Sequence, residues 1–180
     1  FVHVFTRHAD TPLANQMGLS TVLGFRVGET SQARADGRFT DPLEPWSLGE
    51  MHHRVEERPL WAFAMLVSLG VIVCSAWQGA SAVVCAALSG LLLFCALPMT
   101  SYDYSWLILL IPLAQLRPSV LPRLIAFALF TQVCFVFGGD TIEQQHVLYS
   151  LACGLLLLSV MPWRELVERR SLGEPAPEPP

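Results

Sequence analysis

Residues 60–98 read LWAFAMLVSLGVIVCSAWQGASAVVCAALSGLLLFCALP, and this stretch decides the fold class because it contains no Asp, Glu, Lys, Arg or His. The same character continues to Trp163, where the only further Asp, Glu and Arg residues are Asp103, Arg117, Arg123, Asp140 and Glu143. In lipid, every backbone N–H and C=O has to be paired within the protein, so such a stretch favours packed helices. The sequence therefore predicts an all-α fold, a polytopic helical membrane protein.

About five transmembrane helices are expected, since ~20 apolar residues cross the hydrocarbon of a bilayer. Their predicted ranges are 60–77, 80–98, 100–116, 121–139 and 144–163. The third range has a strictly apolar part of only Tyr104–Leu116, which contains Pro112. A tilted, kinked or re-entrant helix would each fit it, and we favour a full span.

The polar ends divide the chain further. Residues 1–59 are predicted to form a mixed extracytoplasmic segment, and a helix that starts with Asp41 as N-cap and Pro42 at its first position leads into the membrane. Residues 164–180 are rich in Pro and Glu at their end and are predicted to be a disordered cytoplasmic tail. Because the chain begins at Phe1 without methionine, we expect it to be the C-terminal part of a longer protein.

Composition excludes several classes of function. Charged residues make up 14% of the 180 residues, against about 25% in soluble domains, and the mean hydropathy is +0.47. A net charge of −4 provides no basic surface for nucleic acid. The long apolar middle of the chain makes membrane lipid the expected partner. The five cysteines lie in apolar runs without a C-x-x-C pair, which argues against a disulfide framework and a zinc site.

The distribution of arginine predicts the orientation. Cytoplasmic loops of membrane proteins carry an excess of Lys and Arg. With residues 1–59 outside, five arginines lie in or next to the cytoplasm, at positions 117, 123, 164, 169 and 170, and only Arg54 and Arg58 lie close to a span on the outside. The sequence therefore predicts a protein of the plasma (bacterial inner) membrane with a cytoplasmic C-terminus.

Two predicted outer loops carry the candidate substrate-binding residues, because ionisable groups at a membrane boundary are costly. They could bind a divalent metal ion through oxygen ligands or supply an acid or base. Simpler interpretations are a solvated loop aspartate between interfacial tyrosines, and acidic groups that merely follow the topology. The candidates are Tyr102, Asp103, Tyr104, Asp140, Glu143 and His146.

Other polar motifs favour structural roles. His52-His53-Arg54-Val55-Glu56-Glu57 lacks the H-E-x-x-H order of zinc proteases, and its i,i+4 His–Glu spacing predicts a solvated helix face. Asn15 and Gln16 could contact a sugar hydroxyl or close turns. Small residues at four-residue steps predict close helix packing, at Ala82, Ala86 and Gly90 and again at Ser150 and Gly154.

Four segments carry a resemblance to known proteins: HADTPLANQMGLSTVL (His8–Leu23), TDPLEPW (Thr40–Trp46), EERPLW (Glu56–Trp61) and SYDYSWLILLIPL (Ser101–Leu113). They resemble the C-terminal part of poorly characterised bacterial multi-span proteins, which are similar in layout to the GT-C superfamily of membrane glycosyltransferases. The resemblance covers most of residues 8–116.

The resemblance implies transfer of a sugar from a polyprenyl-phosphate carrier at the extracytoplasmic face, often with a metal ion. The superfamily's catalytic acidic residues lie in a first outer loop that has no counterpart here, so no catalytic residue is carried over. The alternative is a non-catalytic membrane scaffold or assembly subunit. A transporter is a third hypothesis, hinted at by Pro112 and Gln132.

Overall fold

The computed structural model describes residues 15–100, 105 and 107–161. Most of these residues are helical, which confirms the predicted all-α class at the coarse level. The described residues also include two strands of two residues each, as well as turns and loops. The elements in chain order are β1 (Gln16–Met17), α1 (Leu19–Gly24), α2 (Ser31–Arg34), α3 (Glu44–Glu56), α4 (Arg58–Trp77), α5 (Ala82–Ala96), β2 (Met99–Thr100), α6 (Leu110–Leu116), α7 (Val120–Phe137) and α8 (Ile142–Val160).

Two helices in the described part of the chain, α4 and α7, are long and apolar enough to cross a membrane. The predicted count of five is not confirmed. Helix α5 has 15 residues, and the helical segment that ends in α6 starts only at Leu107. Helix α8 has 19 residues, but four of its first five are polar or charged, at Glu143–His146.

The apolar side chains of α4 and α7 point away from the rest of the molecule. Only 11% of the apolar stretch of each helix is buried. Phe63 and Leu66 on α4 are 63% and 68% exposed, and Leu129 on α7 is 63% exposed. The buried positions of α4 are Ser68 and Ser75, whose hydroxyls each donate to the carbonyl oxygen four residues earlier at 2.7 Å. A surface helix of a water-soluble protein has the opposite distribution.

The core lies between α5 and α8, which are in contact along the middle of the molecule. Leu88 and Phe94 of α5 pack with Cys153 and Leu157 of α8 in one buried cluster. A Cβ added at Gly154 would be in ordinary van der Waals contact with the Phe94 ring at 3.4 Å, so Gly154 lies where α8 packs against α5. The predicted need for a small residue at this position stays a prediction.

Short connections join neighbouring helices of the bundle. Residues 78–81 connect α4 to α5, and residues 138–141 connect α7 to α8. Helix α8 starts two residues earlier than predicted because the Thr141 hydroxyl accepts a hydrogen bond from the N–H of Gln144 (3.4 Å), which caps the helix there. Residues 1–14 and the predicted tail at 164–180 lie outside the described residues.

Residues 15–57, here called the cap, sit against the bundle. Strand β1 pairs with β2 just after α5, and the N–H of Gly18 donates to the Ser150 hydroxyl on α8 at 3.0 Å. Gly18 has φ +122°, and a Cβ there would lie 2.8 Å from the carbonyl oxygen of Leu97, so only glycine fits this approach. The cap therefore touches the C-terminal end of α5 and the N-terminal half of α8.

The helix predicted to start at Pro42 starts later. Helix α3 begins at Glu44 with Leu43 at its N-cap position and Pro45 in its first turn. The carboxylate of Asp41 accepts the N–H of Leu43 at 2.9 Å, which closes a turn ahead of the helix. The prediction of Asp41 as N-cap was wrong. Pro45 suits the first turn of a helix as well as Pro42 does, and the helix starts at the later of the two prolines.

Candidate functional site

A cavity of about 590 Å³ lies where the cap meets the bundle, between α1, α3, the first turn of α4 and the C-terminal end of α5. We call it the junction cavity. Its volume is within the ~300–1,000 Å³ range of small-molecule sites. Its apolar lining consists of Leu23, Met51, Val55, Trp61, Ala96 and Pro98, and its polar lining consists of Ser20, Arg54, Glu57 and Arg58.

One nearly continuous helical stretch supplies most of this lining. Helices α3 and α4 are separated only by Glu57, whose N–H bonds to the carbonyl oxygen of His53, and the N–H of Trp61 bonds in turn to the carbonyl oxygen of Glu57, both at 3.0 Å. Arg54, Arg58 and Trp61 therefore follow each other at steps of four and three residues, which places them on one side of the stretch. That side lines the cavity together with Ser20 and Leu23 of α1.

Arg54 is held from two directions. Its Nη2 donates to Oε1 of Gln16 at 2.6 Å, and its Nε donates to Oε1 of Glu50 at 3.3 Å. Gln16 is fully buried, and burial raises the pKa of the Glu50 carboxyl although the charge of Arg54 acts in the opposite sense. Gly24 makes room for this pair, since a Cβ there would collide with Oε1 of Glu50.

The other two charged groups of the lining differ in their partners. Glu57 pairs with Arg26 at 3.2 Å, and Arg26 also donates to the carbonyl oxygen of Leu23 at 2.6 Å. Arg58 has no carboxylate partner among residues 15–100, 105 and 107–161. Within the same residues, the buried hydroxyl of Ser20 has no hydrogen-bond partner. The cavity thus offers one cation, Arg58, that has no carboxylate partner among the described residues, and the Ser20 hydroxyl is buried behind its lining.

The predicted site residues that the structure describes, Asp140, Glu143 and His146, do not line the junction cavity. Tyr102, Asp103 and Tyr104 are outside the described residues. Asp140 is exposed in the loop before α8. Glu143 is buried, and its Oε1 accepts the N–H of Ser31 at 2.8 Å, which fastens the cap to α8.

His146 is also buried, one helical turn after Glu143. Its Nδ1 lies 2.7 Å from the carbonyl oxygen of Ile142, and its ring packs edge-on against Tyr149 at a centroid distance of 5.6 Å. No group of three His, Cys, Asp or Glu side chains that could hold a metal ion occurs in the described part of the chain. The structure therefore gives Glu143 and His146 structural contacts and does not join them with Asp140 in a ligand set.

The other polar motifs divide in the same way. The predicted contact between His52 and Glu56 is present at 3.3 Å. His53 does not pair with Glu57. It lies 3.0 Å from Glu29 in the cap instead, and this hydrogen bond raises the pKa of His53 and lowers the pKa of Glu29. Gln16, considered as a sugar contact or turn residue, is instead a buried acceptor for Arg54.

Sequence reasoning missed the junction cavity. Arg54 and Arg58 entered it only as markers of orientation, and Trp61 only as an interfacial aromatic residue. Their spacing at the start of an apolar helix was the available signal, but Ser20 and Ala96, on the opposite walls, are distant in sequence. No protein family, curated protein or solved structure matches this chain, so the chemistry of the cavity is argued from its own residues.

Proposed function

We propose that this chain is a membrane-embedded part of an enzyme that handles a lipid-linked substrate at the extracytoplasmic face, transferring a sugar from a polyprenyl-phosphate carrier. The observation that carries the proposal is the junction cavity. It combines an apolar lining with arginine side chains at the boundary between a polar cap and a helix covered with outward-facing apolar side chains. A substrate that is both anionic and lipidic needs both kinds of surface.

Membrane residence is the first part of the proposal. A core helix of a water-soluble protein can be as apolar as α4 and α7, but it is mostly buried, whereas 11% of each apolar stretch is buried here. Burial of apolar surface contributes roughly 25 cal/mol per Å², so exposed phenylalanine and leucine along both helices favour a lipid surrounding. Serine on the inward side is consistent with helix packing in lipid, where small residues let backbones approach.

The five-span topology is the second part. It places the start of the first span, the end of the second and the start of the fifth on the outer side. The cap contacts the bundle at these same ends: it continues into the start of α4, β1 pairs with β2 just after α5, and Glu143 at the start of α8 binds Ser31. A cap attached to one side of the bundle supports alternating spans, and the distribution of arginine along the chain favours the outer side for residues 15–57.

The enzymatic part is tested by transfer of the sugar itself. Membranes from cells that express the protein are incubated with polyprenyl phosphate carrying a radiolabelled sugar, and label in acceptor material is measured. We expect faster transfer than in membranes from cells that lack the protein. Several carrier-linked hexoses and pentoses are tested in turn. If membranes with and without the protein transfer each of these sugars at the same rate, the glycosyltransferase proposal is refuted.

The alternative of a non-catalytic scaffold or assembly subunit keeps one supporting observation. Ala82 and Ala86, on the small-residue face of α5, are exposed, whereas Gly90 is buried. A partner helix could approach closely at the two alanines. Cysteine placed at position 86 should then form a crosslink in membranes, and an exclusively monomeric product would count against this alternative.

A further inference from the structure

The junction cavity has a positive charge that its surroundings do not neutralise. Arg54 is paired with Glu50, and Arg26 is paired with Glu57. Arg58 is an exposed guanidinium in the lining of the cavity, and it forms no ion pair with a carboxylate in the described part of the chain. Arg26, Arg54 and Arg58 set against Glu50 and Glu57 leave a formal charge of +1. A ligand group with a single negative charge would balance it.

The hydrogen-bond donors of the cavity suit an oxyanion. Arg54 is already oriented by Gln16 and Glu50, so less side-chain freedom is lost when its remaining N–H groups bind a ligand. Arg58 follows one helical turn later on the same side. A guanidinium presents N–H donors in a planar fork that matches phosphate oxygens.

The rest of the cavity suits hydrocarbon. Trp61, Val55 and Leu23 belong to its apolar lining. The cavity lies at the first turn of α4, and apolar side chains further along this helix, such as Phe63 and Leu66, are exposed on the face turned away from the cavity. A hydrocarbon chain attached to a bound anion would therefore leave the cavity at the level where the exposed apolar part of the bundle begins. A free, fully hydrated anion would not use these walls.

We propose that the junction cavity binds the phosphodiester group of a membrane lipid, with Arg58 supplying the unbalanced charge, Arg54 adding donors, and Trp61 covering the first part of the hydrocarbon chain. A phosphodiester carries one negative charge, in a glycosyl phosphoryl polyprenol as well as in a glycerophospholipid. The inference rests on the proposed function, because it requires the bundle to lie in a bilayer. It adds the chemical class of the bound group and the residue that dominates its recognition.

The test measures lipid binding to the full chain in detergent micelles by native mass spectrometry. Three lipids of similar chain length are compared: a mannosyl phosphoryl polyprenol, phosphatidylglycerol, and diacylglycerol, which lacks phosphate. The variants are Arg58→Gln, Arg58→Lys and the matched control Arg38→Gln, which removes an exposed arginine that pairs with Asp36 away from the cavity. Because Arg58 has no carboxylate partner in the described part, Arg58→Gln should unfold at the same temperature as the wild type.

We expect Arg58→Gln to bind both phosphodiester lipids about tenfold to a hundredfold more weakly, the range for loss of a charge-assisted hydrogen bond. Arg58→Lys should lie between it and the wild type, and Arg38→Gln should bind like the wild type. Diacylglycerol should bind weakly to every variant. Equal binding by Arg58→Gln and the wild type, or binding of diacylglycerol as tight as that of phosphatidylglycerol, would overturn the inference.

The two proposals fail separately. If Arg58→Gln loses both phosphodiester lipids and no sugar transfer occurs, the lipid site stands and the glycosyltransferase proposal falls. If sugar transfer occurs and Arg58→Gln binds both phosphodiester lipids like the wild type, the glycosyltransferase proposal stands and the lipid site falls. Preference for the polyprenol over phosphatidylglycerol identifies the carrier as the ligand, and equal affinities identify an ordinary phospholipid.

Discussion

Replacing Gly24 with alanine tests whether the buried pair of Glu50 and Arg54 is held in place by its surroundings. The added Cβ would collide with Oε1 of Glu50 and would lie 3.0 Å from Cδ of Glu50 and 3.4 Å from Cγ of Arg54. The carboxylate at the end of the Glu50 side chain has to move, and we expect its 3.3 Å hydrogen bond to Arg54 to break because both side chains are packed in place. The side chains of Glu50 and Arg54 are only 12% and 17% exposed, so solvent replaces this bond poorly.

The size of the effect follows from two opposing terms. Loss of a charge-assisted hydrogen bond costs about 1.5–3 kcal/mol. A Gly→Ala change lowers the conformational entropy of the unfolded chain, which returns about 0.4–1 kcal/mol. The free energy of unfolding should therefore fall by ~1–2 kcal/mol, and Tm by roughly 2–8 °C for a chain of this length.

The assay is thermal unfolding of the full chain in detergent micelles, with Gly49→Ala as the matched control. Gly49 lies inside α3, and a Cβ there would meet nothing within 4 Å. Alanine should stabilise that helix by about 0.5–1 kcal/mol. If Gly24→Ala unfolds at the same temperature as Gly49→Ala or higher, Glu50 can leave its position at no cost and the reasoning is refuted.

Two further predictions concern the contacts of the cap. Ser150→Ala removes the acceptor of the Gly18 N–H, so the free energy of unfolding should fall by about 1–3 kcal/mol. Hydrogen exchange of the Gly18 amide should also become faster. An unchanged exchange rate at Gly18 would contradict the hydrogen bond between the two residues. His53→Gln removes the bond to Glu29, which raises the pKa of His53 in the folded protein above its ordinary 6.5. The stability that this bond contributes is therefore complete below pH 6.5 and is lost as the pH rises through the folded pKa. The Tm difference between His53→Gln and the wild type should therefore be larger in mildly acidic solution than in alkaline solution. A difference that stays constant across this range would contradict the pairing of His53 with Glu29.

The helices that the sequence predicts best are those whose apolar character is continuous. Residues 60–77 were predicted as a span, and α4 covers Arg58–Trp77; residues 121–139 were predicted, and α7 covers Val120–Phe137. Both helices are apolar along most of their length, so they can be recognised in the sequence without a periodic pattern of apolar and polar residues. The ends differ by one or two residues because local capping, as at Thr141, is decided by side-chain bonds that composition does not reveal.

The site was harder to predict because it is built from long-range contacts. Glu143 was a reasonable candidate ligand from its position in an outer loop, but its partner is the backbone N–H of Ser31, 112 residues away. Gln16 and Arg54 meet across 38 residues. Such pairs depend on how the cap packs on the bundle, and the spacing of residues along the chain carries no information about that packing.

Accessibility of two cysteine variants to water tests the central claim, that lipid surrounds the bundle and the cap lies outside it. Val27 in the cap is 87% exposed and Leu66 on α4 is 68% exposed, so both positions lie on the molecular surface. Val27→Cys and Leu66→Cys are treated in membranes with a membrane-impermeant maleimide, and labelling at each position is measured by peptide mass spectrometry. We predict rapid labelling at position 27 and none at position 66. Labelling of position 66 at a rate close to that of position 27 would show that water covers α4 and would contradict the account.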